Sequence, residues 1–126
     1  MTTVSEVFDE IDFEGLVAAA LDSLPPEIAA AIENVEVVVE DEPPAHAVAG
    51  LRPGTSLFGL YHGIPLTKRS GYGNVLPDKI SIYRGPITRY WRDPRKIREQ
   101  IRRTVIHEVG HYFGIDEHRL HELGWG

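Results

Sequence analysis

Apolar residues recur along this chain with two different periods, and the switches between them outline its elements. Phe13, Leu16, Val17, Ala20, Leu21 and Leu24 follow helical spacing, with Asp12 placed as a cap and Pro25 as the stop. Pro26 opens a second short helix through Ile28 and Ile32. From Val35 the period drops to two. Val35, Val37 and Val39 alternate with Glu36, Val38 and Glu40, which predicts a strand with one largely polar face. Pro43, Pro44, Pro53 and Gly54 mark a long loop over residues 42–55. Leu57 to Tyr61 reads as a second strand interrupted by Gly59, residues 63–78 read as irregular, and Lys79 to Tyr83 reads as a third strand. Gly85 and Pro86 end that strand and lead into a turn containing Trp91. Residues 1–9 are expected to fray.

Asp93 and Pro94 then supply a cap and a first-position proline for a long helix reaching Phe113. Ile97, Ile101, Val105 and Tyr112 form one apolar stripe on it, and Ile106, Val109 and Phe113 add a second flank in the last two turns. Arg95, Lys96, Arg98, Arg102 and Arg103 crowd the first half. The first half is therefore expected to be wet on one side and the second half to be enclosed. Gly110 falls opposite the main stripe, where another element can approach closely. Gly114 is placed to end the helix in a left-handed conformation. A short helix from Glu117 to Leu123, capped by Asp116, completes the chain.

At 126 residues, with 42% apolar and 25% charged positions, the chain has material for one domain, residues 1–126, with its own core. It contains no cysteine, so disulfides and thiolate metal sites are excluded and any metal must be held by histidines and carboxylates. The net charge of −6 hides an asymmetry. Residues 1–51 hold twelve acids and no base, whereas the remainder holds seven acids and thirteen bases. The simpler consequence is that the two halves pack with complementary fields; the sharper one is a basic face for an acidic partner. No nucleic-acid motif accompanies the charge, so nucleic acid is not an expected partner. Self-association through the opposed charges makes a homodimer an expectation. The stretch before Leu51 lacks the basic region of a targeting signal, and the uncharged run from Pro53 to Thr67 is too short and too broken to span a bilayer. Cytoplasmic residence and no membrane partner are expected.

The enclosed half of the long helix reads His107-Glu108-Val109-Gly110-His111. Residues four apart on a helix stand above one another, so both imidazoles can reach one ion while Glu108 lies beside them. That arrangement suits hydrolysis, because a metal lowers the pKa of its water to about 7 and the carboxylate takes the proton as the water attacks a carbonyl. Shuffling this composition produces the five-residue motif about once in 40 trials; Gly114 and a possible ligand at position 117 reduce the chance to roughly one in 2,000. A catalytic zinc wants three protein ligands and one open position. Gly114 lets the chain leave the helix and turn back, bringing a residue near position 117 towards the ion.

The run His107-Glu108-x-x-His111-x-x-Gly114-x-x-Glu117 resembles the extended zincin signature, whose last position is His in metzincins and Asp in Asp-zincins. The wider chain resembles small bacterial zincin-like metallopeptidases. The resemblance covers the first helix ending in Leu24-Pro25, Glu36 to Pro43, Gly59 to Thr67, Leu76 to Ile80, and the motif helix with Arg119-Leu120 after it. It implies an α+β, minimal zincin-like domain: N-terminal helices, a small three-stranded sheet, the active-site helix and a short C-terminal helix. It also implies one Zn²⁺ held by His107, His111 and Glu117, with Glu108 as general base. Two departures stand out. The only methionine is Met1, so no methionine turn lies beneath the metal, and Trp125 or Leu123 is left to support the site. Glu117 replaces the shorter Asp, with His118 next door as the rival third ligand.

Tyr61, Tyr83 and Tyr112 read as core or strand aromatics, with one of them or Arg119 available to steady an oxyanion. His118 and His121 read as surface residues, His46 as solvated in its loop, and His62 as lacking an evident partner. The functional expectation is a zinc-dependent metallopeptidase acting on a peptide or protein substrate. The resemblance implies that the substrate lies along an edge strand at Lys79 to Tyr83. The alternative is a non-catalytic zincin-fold binding or regulatory module with a weak or empty metal site.

Overall fold

The structure is a computed structural model that describes residues 12–32, 34–51, 57–63 and 78–123, without the side chain of Glu117. The expected fraying of residues 1–9, the irregular stretch 64–77 and the supporting role of Trp125 fall outside the described residues.

The first element is α1, Phe13–Asp22, where Asp12 accepts the Gly15 N–H at 2.9 Å as the expected cap. Helix α2, Pro26–Ala31, opens on its proline, and β1, Val35–Glu40, follows. A short helix α3, Ala45–Val48, interrupts the expected loop. Strand β2 is Gly59–His62, shifted slightly from the expected span, and β3 is Asp78–Tyr83. Helix α4, Arg84–Tyr90, was not expected. Gly85 and Pro86 do end β3, but they then sit in the first turn of a helix, where a proline sacrifices no helical hydrogen bond. The Gly85 N–H is taken instead by the Asp41 carbonyl at 2.8 Å. Helices α5, Pro94–Tyr112, and α6, Glu117–Glu122, complete the order.

The architecture is α+β, with six helices and a three-stranded sheet in the order β1-β3-β2 among the described residues. Strand β3 is therefore central, pairing parallel with β1 and antiparallel with β2. This corrects the expectation that Lys79 to Tyr83 is an edge. Both of its edges are taken by neighbours, and among the described residues β2 is the outer antiparallel strand. Alternation sends Ile80 and Ile82 of β3 to the helical face, where they are fully buried with Phe13, Val17, Ile97, Ile101, Val105 and Val109. Burial of each such aliphatic side chain is worth about 2 kcal/mol. No described helix is long and apolar enough to cross a membrane.

The opposite face of the sheet is polar. Buried Ser81 donates to Glu40 Oε1 at 2.9 Å and lies 3.4 Å from His62 Nε2, while Lys79 Nζ approaches Glu40 to 2.8 Å. His62 thus has neighbours that its sequence position did not disclose. Two more pairs, Arg84 to Asp41 and Arg89 to Glu42, each at 2.7 Å, join the acidic first half to the basic second half. The simpler reading of the charge asymmetry holds at these three contacts. Exposed pairs of this kind add little stability but favour the observed register over a slipped one.

Candidate active site

Helix α5 presents the motif because both of its ends are specified. At its start Asp93 accepts the Arg95 N–H at 2.9 Å, ahead of Pro94 in the first turn. At its end Gly114 has φ of 83°, a left-handed conformation that costs an L-residue energy and glycine none. The Ile115 N–H then reaches the Gly110 carbonyl at 3.0 Å and the Gly114 N–H reaches that of His111 at 2.9 Å. Those two bonds form a Schellman turn, which satisfies carbonyls that the helix leaves open.

The same turn orients His111. His111 Nδ1 lies 3.1 Å from the Ile115 carbonyl, which accepts only, so Nδ1 carries the proton and Nε2 presents its lone pair. That Nε2 faces Nε2 of His107 at 3.2 Å, with the two rings nearly perpendicular at 85°. Two nitrogens on one tetrahedral zinc, each about 2.05 Å from it, stand about 3.3 Å apart. The pair therefore has the separation of two ligands sharing an ion. Both histidines are half-buried.

Glu108 is buried at 6% exposure, on the side of α5 that meets β2. Its Oε1 accepts the backbone N–H of Tyr61 at 2.9 Å. Burial of a carboxylate is costly unless it is hydrogen-bonded, and this bond ties the acid to the strand. The strand can come this close because residue 59 is glycine. A Cβ there would stand 2.6 Å from Thr104 Cγ2, 3.1 Å from the Ser81 carbonyl and 3.3 Å from Glu108 Cγ. Tyr61 is held in turn by its hydroxyl on Asp78 Oδ2 at 3.1 Å and by its ring against Tyr112.

Hydrogen-bond alternation fixes which strand groups face outward. The Tyr83 N–H donates to the Phe58 carbonyl at 2.8 Å, so Phe58, Leu60 and His62 point their amides at β3. Gly59 and Tyr61 point theirs to the outer edge, where the Tyr61 N–H meets Glu108.

His107, Glu108 and His111 are the one group among the described residues whose donor atoms can hold a metal, all lying within 4.8 Å of one another. Glu117 begins α6, three residues beyond Gly114, and its side chain lies outside the described residues. His118 does not join the histidine pair; it is exposed and its Nε2 stands 3.6 Å from Glu122 Oε1. Leu123 is also exposed, and the Arg119 guanidinium lies 3.9 Å from Glu122. His46 and His121 are exposed as expected. The Tyr112 hydroxyl donates to the Ala31 carbonyl at 3.1 Å, a packing role.

Three contributors escaped sequence reasoning: the Tyr61 amide, the missing side chain of Gly59 and the Ile115 carbonyl. A glycine inside a strand does signal close approach by another element, so Gly59 was detectable in principle. The other two are backbone groups and leave no residue signature.

With nitrogen and oxygen donors only, the cluster suits a zinc-type cation better than a thiolate metal. No curated protein matches the chain. A family model for zincin-like metallopeptidases matches residues 32–125, a span containing all three strands, the histidine pair and Glu108. On that match, which extends over most of its length, the chain belongs to the zincin-like metallopeptidase family.

Proposed function

We propose that the chain is a zinc-dependent peptidase in which His107, His111 and Glu117 hold the metal and Glu108 is the general base. The observation that carries this reading is the 3.2 Å approach of the two Nε2 atoms, with His111 fixed from behind by the Ile115 carbonyl. Zinc bound there supplies a Lewis acid that polarises a peptide carbonyl and acidifies water near neutral pH.

The protein's own groups supply the rest. The Tyr61 N–H holds the Glu108 carboxylate in one orientation beside the histidines, so the base does not have to be ordered when substrate arrives. Glu108 then takes the proton of the attacking water and returns it to the departing amine. Buried neighbours such as Val105, Val109 and Tyr112 keep bulk water from the helix behind the acid. The substrate is an extended peptide or protein segment laid against the outer edge of β2, where the main-chain groups of Gly59 face outward while the Tyr61 N–H stays on Glu108. That strand replaces Lys79 to Tyr83 as the proposed substrate edge.

The test combines metal content with cleavage. One zinc per chain should bind to the wild type and to Glu108→Gln, whereas His107→Ala and His111→Ala should lose it. Cleavage of a mixed peptide library should fall about 10²–10⁴-fold in Glu108→Gln. Zinc uptake without any cleavage by the wild type would instead favour a metal-binding module. Equal cleavage by Glu108→Gln would dismiss Glu108 as the base.

A further inference from the structure

Upstream of Gly59 three aromatic rings meet. The ring of Phe58 lies 5.7 Å from that of Tyr90 and 5.0 Å from that of Trp91, and the last two rings are 4.4 Å apart. Phe58 and Trp91 pack on the core, but Tyr90 remains 65% exposed. Tyr90 closes helix α4 and Trp91 follows it, so both are carried to this corner by the element that immediately succeeds the central strand.

The corner has a fixed relation to the histidine pair. Gly59 lies beside Thr104 and Glu108, and Tyr61 lies beside Glu108 and Tyr112, so β2 and α5 run in the same direction. Phe58, with the other two rings packed on it, therefore stands at the upstream end of β2, three strand positions, about 10 Å, from the amide that holds Glu108. A peptide laid along β2 past Gly59 would reach from the neighbourhood of the histidines to the rings. Its backbone would be read by the strand, leaving side-chain selectivity to whatever the edge meets at its ends.

We infer that Phe58, Tyr90 and Trp91 form a subsite for a large apolar or aromatic side chain of the peptide, two or three residues to one side of the bond cleaved. This inference rests on the peptidase reading and deepens it by naming a substrate class. An aromatic side chain stacks edge-on or offset against such rings and withdraws the exposed face of Tyr90 from water, whereas an alanine does neither.

The experiment uses the zinc-loaded protein and blocked alanine heptapeptides, with one phenylalanine stepped through every position. Binding is measured by calorimetry on Glu108→Gln, and cleavage by mass spectrometry on the wild type. One phenylalanine position should bind about tenfold more tightly than the all-alanine peptide, and adding Tyr90→Ala should reduce that ratio to about twofold or less. Equal binding of all the peptides, or a ratio that survives Tyr90→Ala, would overturn the subsite. Peptides bound with the preference but never cut would retain the subsite and sink the peptidase reading. Peptides cut with no phenylalanine preference would do the reverse, and peptides neither bound nor cut would sink both.

Discussion

His111 Nδ1 stands 3.1 Å from the carbonyl oxygen of Ile115, four residues further along the chain. The turn that stops α5 therefore also sets the tautomer of the second histidine. Helix termination and the orientation of the His111 ring are one piece of local geometry, with Gly114 at its centre.

Gly114→Ala should accordingly damage two properties together. A side chain at φ of 83° costs about 1–2 kcal/mol, which lowers the melting temperature. The displaced Ile115 carbonyl should also weaken zinc affinity by about 10-fold or more. Thermal unfolding and a competition titration with a chromophoric chelator measure the two. Unchanged zinc affinity in a destabilised variant would separate the turn from the ligand.

Gly59→Ala tests how the strand is brought to Glu108. The new methyl meets Thr104 Cγ2 and the Ser81 carbonyl, so β2 must lift from α5 and the Tyr61 to Glu108 bond must lengthen. Overpacking of this kind costs about 1–3 kcal/mol, and peptide cleavage should fall with it. Thr104→Ser removes the offending methyl while keeping the hydroxyl that accepts from Gln100. The double variant should recover part of the stability and activity. Strict additivity of the two changes would show that the contact is irrelevant.

Metal and fold should be linked. Zinc at about 100 times its dissociation constant stabilises the native state by about 2.7 kcal/mol, so a chelator should lower the melting temperature of the wild type. His107→Ala should melt at one temperature with or without chelator. A chelator-induced shift of wild-type size in that variant would place the stabilising ion elsewhere.

Acid sensitivity should come first from the polar face of the sheet. Burial, reinforced by the Lys79 charge and by His46, holds His62 below its ordinary 6.5, with Glu40 opposing. The folded state therefore prefers the neutral ring. That stability is present above 6.5 and is lost as pH falls through the lowered value. The hydrogen bonds from Lys79 and Ser81 hold Glu40 below its usual 4.5, so its contribution persists above 4.5 and is lost only in stronger acid. Between about pH 7 and 5, His62→Gln should flatten the fall in melting temperature. A variant curve parallel to the wild type would remove His62 from this account.

Periodicity and caps made most of the elements legible. Asp12, Asp93 and Asp116 begin their helices as read, because a side-chain cap is a local bond between near neighbours. Helix α4 was missed because Gly85 and Pro86 are breakers in the middle of a helix but harmless in its first turn. The edge was placed at Lys79 to Tyr83 for a different reason. Asp78 to Tyr83 and Gly59 to His62 are both short apolar runs, and which one lies between two partners depends on pairing across distant segments. At the site, the spacing of His107, Glu108, His111 and Gly114 disclosed the helix-borne groups. It could not disclose the Tyr61 amide, which every residue but proline possesses.

The bond from the Tyr61 amide to Glu108 divides the candidate site between two pieces of chain separated by 47 positions. Transplanting the motif helix alone into another scaffold would carry across the imidazoles but leave the acid without its anchor. A faithful graft would have to bring the glycine-containing strand with it, in the same register.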